Sequence, residues 1–220
     1  MAYRGLPPTA IHVETLRVSE AAFPGLQITE CAPQRTQPGK PSGTGLGLSV
    51  AQSPVKKKPT PRELVLAVIA GEIDRVRELH AAGVSVTEPD QYGWLPIHRA
   101  AVNDRDEIIR LLVGWGSPLE ATGVEQWTPL HLASVSRSPR AVTALLEAGA
   151  NVHARSVFGA TPLHLAVGPT ITEGLLETVR ILVSAGADLD AADQEGRTPR
   201  DKARESGHPE LLRIFDDGAP

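Results

Sequence analysis

Apolar and polar positions between about residues 60 and 215 recur with a period of 33. The phrase Thr128-Pro129-Leu130-His131-Leu132-Ala133 returns as Thr161-Pro162-Leu163-His164-Leu165-Ala166. One period upstream stands Leu95-Pro96-Ile97-His98-Arg99-Ala100, and one further Arg62-Glu63-Leu64-Val65-Leu66-Ala67. Downstream, 37 residues separate Thr161 from Thr198-Pro199-Arg200-Asp201-Lys202-Ala203, so the fourth unit carries four extra residues. Three further series keep the same step: a small residue at Ala67, Ala100, Ala133, Ala166 and Ala203, a leucine at Leu79, Leu112, Leu145 and Leu182, and a glycine at Gly83, Gly116, Gly149 and Gly186. Each unit is predicted as two short helices and a returning loop. Thr128 offers a hydroxyl to the unpaired N–H groups of a helix start, Pro129 brings a preset φ to the first helical position, and the Leu and Ala positions make an apolar face. Gly149 and its equivalents end the second helix, where a left-handed residue is needed.

This phrase, this period and this glycine series resemble the ankyrin repeat, a unit of about 33 residues with a Thr-Pro-Leu-His signature. The resemblance implies an all-α solenoid of about five helix pairs, curved, with hairpin loops projecting at right angles, and it implies a role in recognising protein partners. The units fall at about 60–92, 93–125, 126–158, 159–195 and 196–215, the last as a C-terminal cap, and 216–220 is expected to fray. It also implies that His98, His131 and His164, three residues into their helices, bond the neighbouring loop. A metal site made of these histidines is disfavoured by their periodicity. Helices of successive units pack about 10 Å apart, whereas ligands converge to about 2 Å from one ion.

The first unit has Val65 in the histidine slot, and its helix start is expected at Thr60-Pro61 with Glu63 reaching back. The last unit has Arg200 and Asp201 where others have Leu or Ile and His. Loss of signature suits end units, whose outer faces meet water. The extra residues of the fourth unit, around 168–174, are expected to lengthen the turn between its helices, as neutral drift or as a partner-specific finger.

Composition narrows the function. The net charge of −4 divides unevenly: residues 1–59 hold seven Lys/Arg against three Asp/Glu, and residues 60–220 hold fifteen against twenty-three. An acidic array does not suit phosphate contacts, so no nucleic-acid partner is expected. A basic protein partner is. With the single cysteine, Cys31, no internal disulfide framework is possible and a reducing, cytoplasmic setting is expected. No signal peptide and no membrane span are read from the chain.

Residues 1–59 are rich in Pro and Gly and are expected to be a disordered tail. Within it, residues 10–18 alternate as a short strand would, either as a linear motif or as a chance fluctuation. The run Gly43-Thr44-Gly45-Leu46-Gly47-Leu48-Ser49 resembles the phosphate-lid box of histidine-kinase ATP-binding domains, but lacks the rest of that domain and is expected to be a linker. Lys56-Lys57-Lys58 reads as a solvated linker or a weak nuclear-import signal.

Nothing in the chain orients a nucleophile or an acid–base pair, so no enzyme activity, cofactor or small-molecule substrate is expected. What the repeat leaves variable is the loop tip before each Thr-Pro: Gln91, Tyr92 and Trp94; Val124, Glu125 and Trp127; Val157, Phe158 and Ala160; Gln194, Glu195 and Arg197. Four of the eight aromatic residues, Tyr92, Trp94, Trp127 and Phe158, stand here. Contiguous exposed apolar residues mark interaction surfaces, and Trp and Tyr are enriched at binding hot spots. Tyr92, Trp94, Val124, Glu125, Trp127, Val157, Phe158, Glu195 and Arg197 are therefore the expected contacts to a protein partner, bound by a monomer acting as scaffold or adaptor. The alternatives are an inhibitor or immunity-type protein that occludes an enzyme, and a nucleotide-binding regulator using the glycine-rich run. Trp115, beside Gly114 and Gly116, is expected to cover a helix end instead.

Overall fold

The structure, a computed structural model, describes residues 58–90 and 92–217. The strand expected at 10–18, the glycine-rich run and Cys31 lie outside these residues. The described chain forms ten α-helices: α1 (Pro61–Ala70), α2 (Ile73–Ala81), α3 (Pro96–Val102), α4 (Asp106–Gly114), α5 (Pro129–Val135), α6 (Pro139–Glu147), α7 (Pro162–Ala166), α8 (Glu173–Ser184), α9 (Pro199–Ser206) and α10 (Pro209–Asp217). No strand occurs among the described residues. The helices pair as α1/α2 through α9/α10. The first helices pack in one row and the second helices in another, each against its counterpart in the next unit.

The helix starts follow the sequence closely. Thr128 is extended and its hydroxyl accepts the His131 N–H, with Pro129 next in the helix. In the first unit Thr60 accepts the Glu63 N–H, so α1 opens two residues ahead of register and runs ten residues. Between the rows lies one continuous core: Leu64, Val68 and Leu79 in the first unit, Ile108 and Leu112 in the second, Leu130 and Leu145 in the third, Leu163 and Leu182 in the fourth, Leu211 and Phe215 in the last. Stability is thus spread over neighbouring-unit interfaces, as in a one-dimensional array.

Two expectations are corrected. The extra residues of the fourth unit do not simply lengthen a turn. Helix α8 has twelve residues where α4 and α6 have nine, and it starts at a Thr172 cap that accepts the Leu175 N–H at 3.2 Å. The turn between the helices is six residues, 167–172, against three, 136–138, in the third unit, and α8 is also three residues longer at its start; Ile171 packs against the core and Gly174 lies against Arg137 of the preceding unit. A Cβ on Gly174 would stand 3.0 Å from the Arg137 carbonyl oxygen. His208 Nε2 donates to the Pro169 carbonyl at 3.0 Å, so the segment is held on both sides and is no free finger. Secondly, the first two residues of the end expected to fray, 216 and 217, are helical, and 218–220 lie outside the described residues. Helix α10 runs to Asp217, with Arg200 donating to the Phe215 carbonyl at 3.1 Å.

Candidate functional site

Four five-residue tips stand between the units: 90–94, 123–127, 156–160 and 193–197. Each is closed by its first N–H donating to its fifth carbonyl, Asp90 to Trp94, Gly123 to Trp127, Ser156 to Ala160 and Asp193 to Arg197, at 2.9–3.0 Å. Three tips begin with a side-chain acceptor that gathers the N–H groups of the turn. Asp90 Oδ1 accepts from Tyr92 and Trp94 at 2.9 and 3.0 Å, Ser156 Oγ from Phe158 and Ala160 at 3.3 and 3.2 Å, and Asp193 Oδ1 from Glu195 and Arg197 at 2.9 and 3.0 Å. Their fourth residue is a glycine with φ of 77°, 73° and 76°. The second tip has neither device. Gly123 has no acceptor to offer, and Glu125 and Gln126 take φ of 59° and 58°, a region costly for residues with a Cβ.

Successive tips are joined by their backbones. The Val157 N–H donates to the Glu125 carbonyl at 2.9 Å and the Gln194 N–H to the Phe158 carbonyl at 3.0 Å. The ribbon is thereby aligned from the second tip to the fourth.

This geometry sorts the expected contacts. Second and third tip positions point outward: Tyr92 is 39% exposed, Val124 57%, Val157 43% and Phe158 55%, with Glu125, Gln194 and Glu195 also exposed. Fifth positions turn back onto the scaffold, since that residue's carbonyl closes the loop. The expectation that Trp94 projects from its tip is therefore corrected. It is 9% exposed, edge-on to His98 at 5.6 Å between ring centres and under the Arg99 guanidinium at 5.3 Å. Ala160 is buried, Trp127 is half-buried with its indole N–H enclosed and unbonded, and Arg197 is half-buried, paired with Glu195 at 2.7 Å. Trp115 stays off the ribbon, stacked on His80 at 4.0 Å near the α4 end.

The three histidines reach from their units to the loop that follows. His131 Nδ1 accepts the Thr128 N–H at 3.2 Å, which leaves the ring proton on Nε2, and Nε2 donates to the Ala160 carbonyl at 3.1 Å. His164 does the same with Thr161 and with the Arg197 carbonyl, at 3.1 Å each. His98 accepts the Leu95 N–H and donates to the Ala121 carbonyl at 3.0 Å, with the Trp127 carbonyl, the register equivalent of Ala160, also facing its ring. All three rings are fully buried, and desolvation holds their pKa below the ordinary 6.5. In the last unit Asp201 takes the histidine's place, accepting from the Thr198 N–H at 3.1 Å and from its hydroxyl at 2.8 Å. A carboxylate accepts only. Among the described residues no tip loop follows it to receive a proton.

One structural group went unread in the sequence. Arg99 bonds Asp90 through Nε at 2.9 Å and through Nη2, with both side chains mostly buried, and its guanidinium also lies 5.7 Å from the Tyr92 ring. The signal was present: an arginine stands where the third and fourth units have leucine. Lys202, in the same slot of the last unit, donates to the His164 carbonyl at 3.1 Å, and burial lowers its pKa. Among the described residues no three His, Cys, Asp or Glu side chains gather as a metal site, and no helix is long and apolar enough to cross a membrane.

Comparison with known proteins agrees with the repeat register. A model for three copies of the ankyrin repeat matches residues 64–156 and one for a single ankyrin repeat matches residues 158–194. The chain is 37% identical over 73 residues to the palmitoyltransferase Hip14 of Drosophila melanogaster, a stretch that is 33% of this chain and 12% of that protein. It is 46% identical over 43 residues to cyclin-dependent kinase 4 inhibitor B of Rattus norvegicus, 20% of this chain and 33% of that one. The chain thus spans a third or less of the length of these relatives. Its repeats, matched over 64–156 and 158–194, make it a member of the ankyrin-repeat family.

Proposed function

We propose that this chain is a protein-interaction module whose contact surface is the ribbon of second and third tip positions, continued onto the neighbouring concave face of the first helices. The observation that carries this reading is the exposure of Val124, Val157 and Phe158, at 43–57%, on two tips joined by a backbone bond. Large apolar side chains held outward on a rigid scaffold contribute binding energy at low ordering cost. Tyr92 extends the ribbon at one end. Glu125, unpaired in any ion pair among the described residues, and Glu195 supply negative charge beside it, so the partner segment is apolar with Arg or Lys neighbours. Trp94, Trp127 and Arg197 act behind the surface, by holding the tips.

The test is affinity capture with the full chain beside a Val124→Ser/Phe158→Ser version that melts at the same temperature. A basic protein retained only by the unaltered chain, and released by rising salt, is the expected result. The same proteins on both resins would end the reading. A scaffold acting in the cytoplasm, without catalysis of its own, is the role we favour. The likeness to a protein named as a kinase inhibitor favours a second reading, occlusion of a partner enzyme. Titrating the captured partner's own activity with the chain separates the two.

A further inference from the structure

Most outward tip positions have already spent their backbone donors. The Tyr92 N–H donates to Asp90 Oδ1 at 2.9 Å, and the Val157 N–H to the Glu125 carbonyl at 2.9 Å. The Phe158 N–H donates to Ser156 Oγ at 3.3 Å, Gln194 to the Phe158 carbonyl at 3.0 Å and Glu195 to Asp193 Oδ1 at 2.9 Å. Carbonyls of the third tip are engaged as well, Val157 by Gln194 Nε2 at 2.7 Å and Gly159 by Arg155 at 3.1 Å. The indoles add no donor, since Trp94 is buried and the Trp127 N–H is enclosed. The third and fourth tips therefore meet a partner with side chains, apolar at Val157 and Phe158 and acidic at Glu195, and not with main-chain N–H groups.

That inventory selects the form of the partner. A segment in extended or polyproline II form carries unpaired backbone groups along its length, and covering them without a donor or acceptor opposite costs free energy. An α-helix pairs its own. Spacing agrees. The cross-tip bonds set Glu125 beside Val157 and Phe158 beside Gln194, so equivalent positions recur at about the 8–10 Å step of packed helices. Seven residues of helix advance about 10.5 Å and return to nearly the same face. A strand returns to one face every 6.7 Å or about that, and falls out of step. Polyproline II, at about 9.3 Å per three residues, keeps step but would lay its unpaired carbonyls on Val157 and Phe158. We infer that the ribbon takes an amphipathic, basic α-helix of a partner protein, an inference that rests on the ribbon being the contact surface. Apolar side chains at seven-residue spacing meet Tyr92, Val124 and Phe158, and Lys or Arg stands beside Glu125 and near Glu195. Charge favours this helix over a neutral one, because residues 60–220 hold fifteen Lys/Arg against twenty-three Asp/Glu and Glu125 has no ion pair among the described residues.

Fluorescence anisotropy with the full chain and three labelled peptides of about 25 residues tests this, a length that is helical alone and spans three tips. The first peptide, of Ala, Gln, Lys and Leu, has leucine at every seventh position. The second sets the same leucines at every fifth, which scatters them round the helix. The third is the first with a central alanine changed to proline, which breaks the helix. The first is expected to bind at least about tenfold more tightly than the others, and to lose at least about tenfold on the Val124→Ser/Phe158→Ser chain and in rising salt. A second or third peptide that binds as tightly, and only to the unaltered chain, overturns the helix and leaves the ribbon as the contact surface. A first peptide that fails to bind, or binds both chains alike, also overturns the inference, and the affinity capture then decides separately whether the ribbon reading falls with it.

Discussion

The second and third tips are equivalent in register and joined by a backbone bond, yet they hold their shape by different means. The third has Ser156 to gather two N–H groups, Gly159 for the left-handed position, and a histidine behind it that bonds its closing carbonyl. The second has Gly123, Gln126 and a histidine that donates to Ala121 and also faces the Trp127 carbonyl. The neighbouring tip also holds the second one, through the Glu125 carbonyl. Backbone strain of this sort persists only where the surroundings over-determine it, and it clusters at functional surfaces. The most exposed of the large apolar tip residues, Val124, stands on the strained tip.

The histidines give the largest expected difference. His131→Ala removes the acceptor for the buried Thr128 N–H and the donor to Ala160, so it is expected to cost about 3 kcal/mol. His98→Ala is expected to cost about 1 kcal/mol less, because Leu95 offers no hydroxyl to its ring whereas Thr128 does at 2.9 Å. Equal losses in urea titrations would mean that the second tip is fastened as firmly as the third, and the comparison would fail. Both rings must stay neutral, since a proton on Nδ1 would face a helix-cap N–H. Their folded pKa lies below the unfolded value of about 6.5, so the unfolded chain binds the extra protons. Stability is full above pH 6.5 and declines as pH falls through the lowered folded values. Melting temperature should therefore drop between neutral and mildly acidic pH, and drop less in the His131→Ala variant.

The fold was legible because it rests on local signals repeated in step. A capping Thr, a Pro in the first turn and a helix-ending Gly leave few alternatives, and the histidine role followed from the resemblance. The site was legible only in part. Counting positions placed Tyr92, Val124, Val157 and Phe158 on the tips, but counting does not say which way a side chain points. Trp94 reads as exposed until the bond from Asp90 N–H to the Trp94 carbonyl turns it toward Arg99. The insertion at 168–174 was legible in part: the turn does lengthen, to 167–172, whereas Glu173 and Gly174 open α8 behind the Thr172 cap, which the loop reading left out.

A smaller effect is expected from the head of the third tip. Ser156→Ala removes the acceptor for the Phe158 and Ala160 N–H groups and should cost about 1 kcal/mol, read as a lower melting temperature with the tip otherwise intact. The reciprocal change, Gly123→Ser, gives the second tip the same device and should recover a few tenths of a kcal/mol to about 1 kcal/mol. No gain from Gly123→Ser would show that the second tip's geometry is set by Glu125 and Gln126 alone.

A similarly small change in stability is expected from Gln126→Gly, and it bears most directly on function. At φ 58° a glutamine costs more than a glycine, so the variant should gain about 0.5–1 kcal/mol, set against the greater freedom of glycine when unfolded. If the strained loop serves only to close the turn, the gain appears and binding of the captured partner is unchanged. If the strain keeps Val124 outward, the same variant is more stable and binds more weakly, because the relaxed loop has lost the preorganised position of its apolar contact. On the proposed surface the second pattern is expected, a higher melting temperature together with a several-fold weaker Kd. Gly159, which already has the relaxed geometry in the third tip, supplies the control: Gly159→Ala should lose stability, since its φ is 73° and a Cβ there would stand 3.2 Å from the Gln194 amide nitrogen.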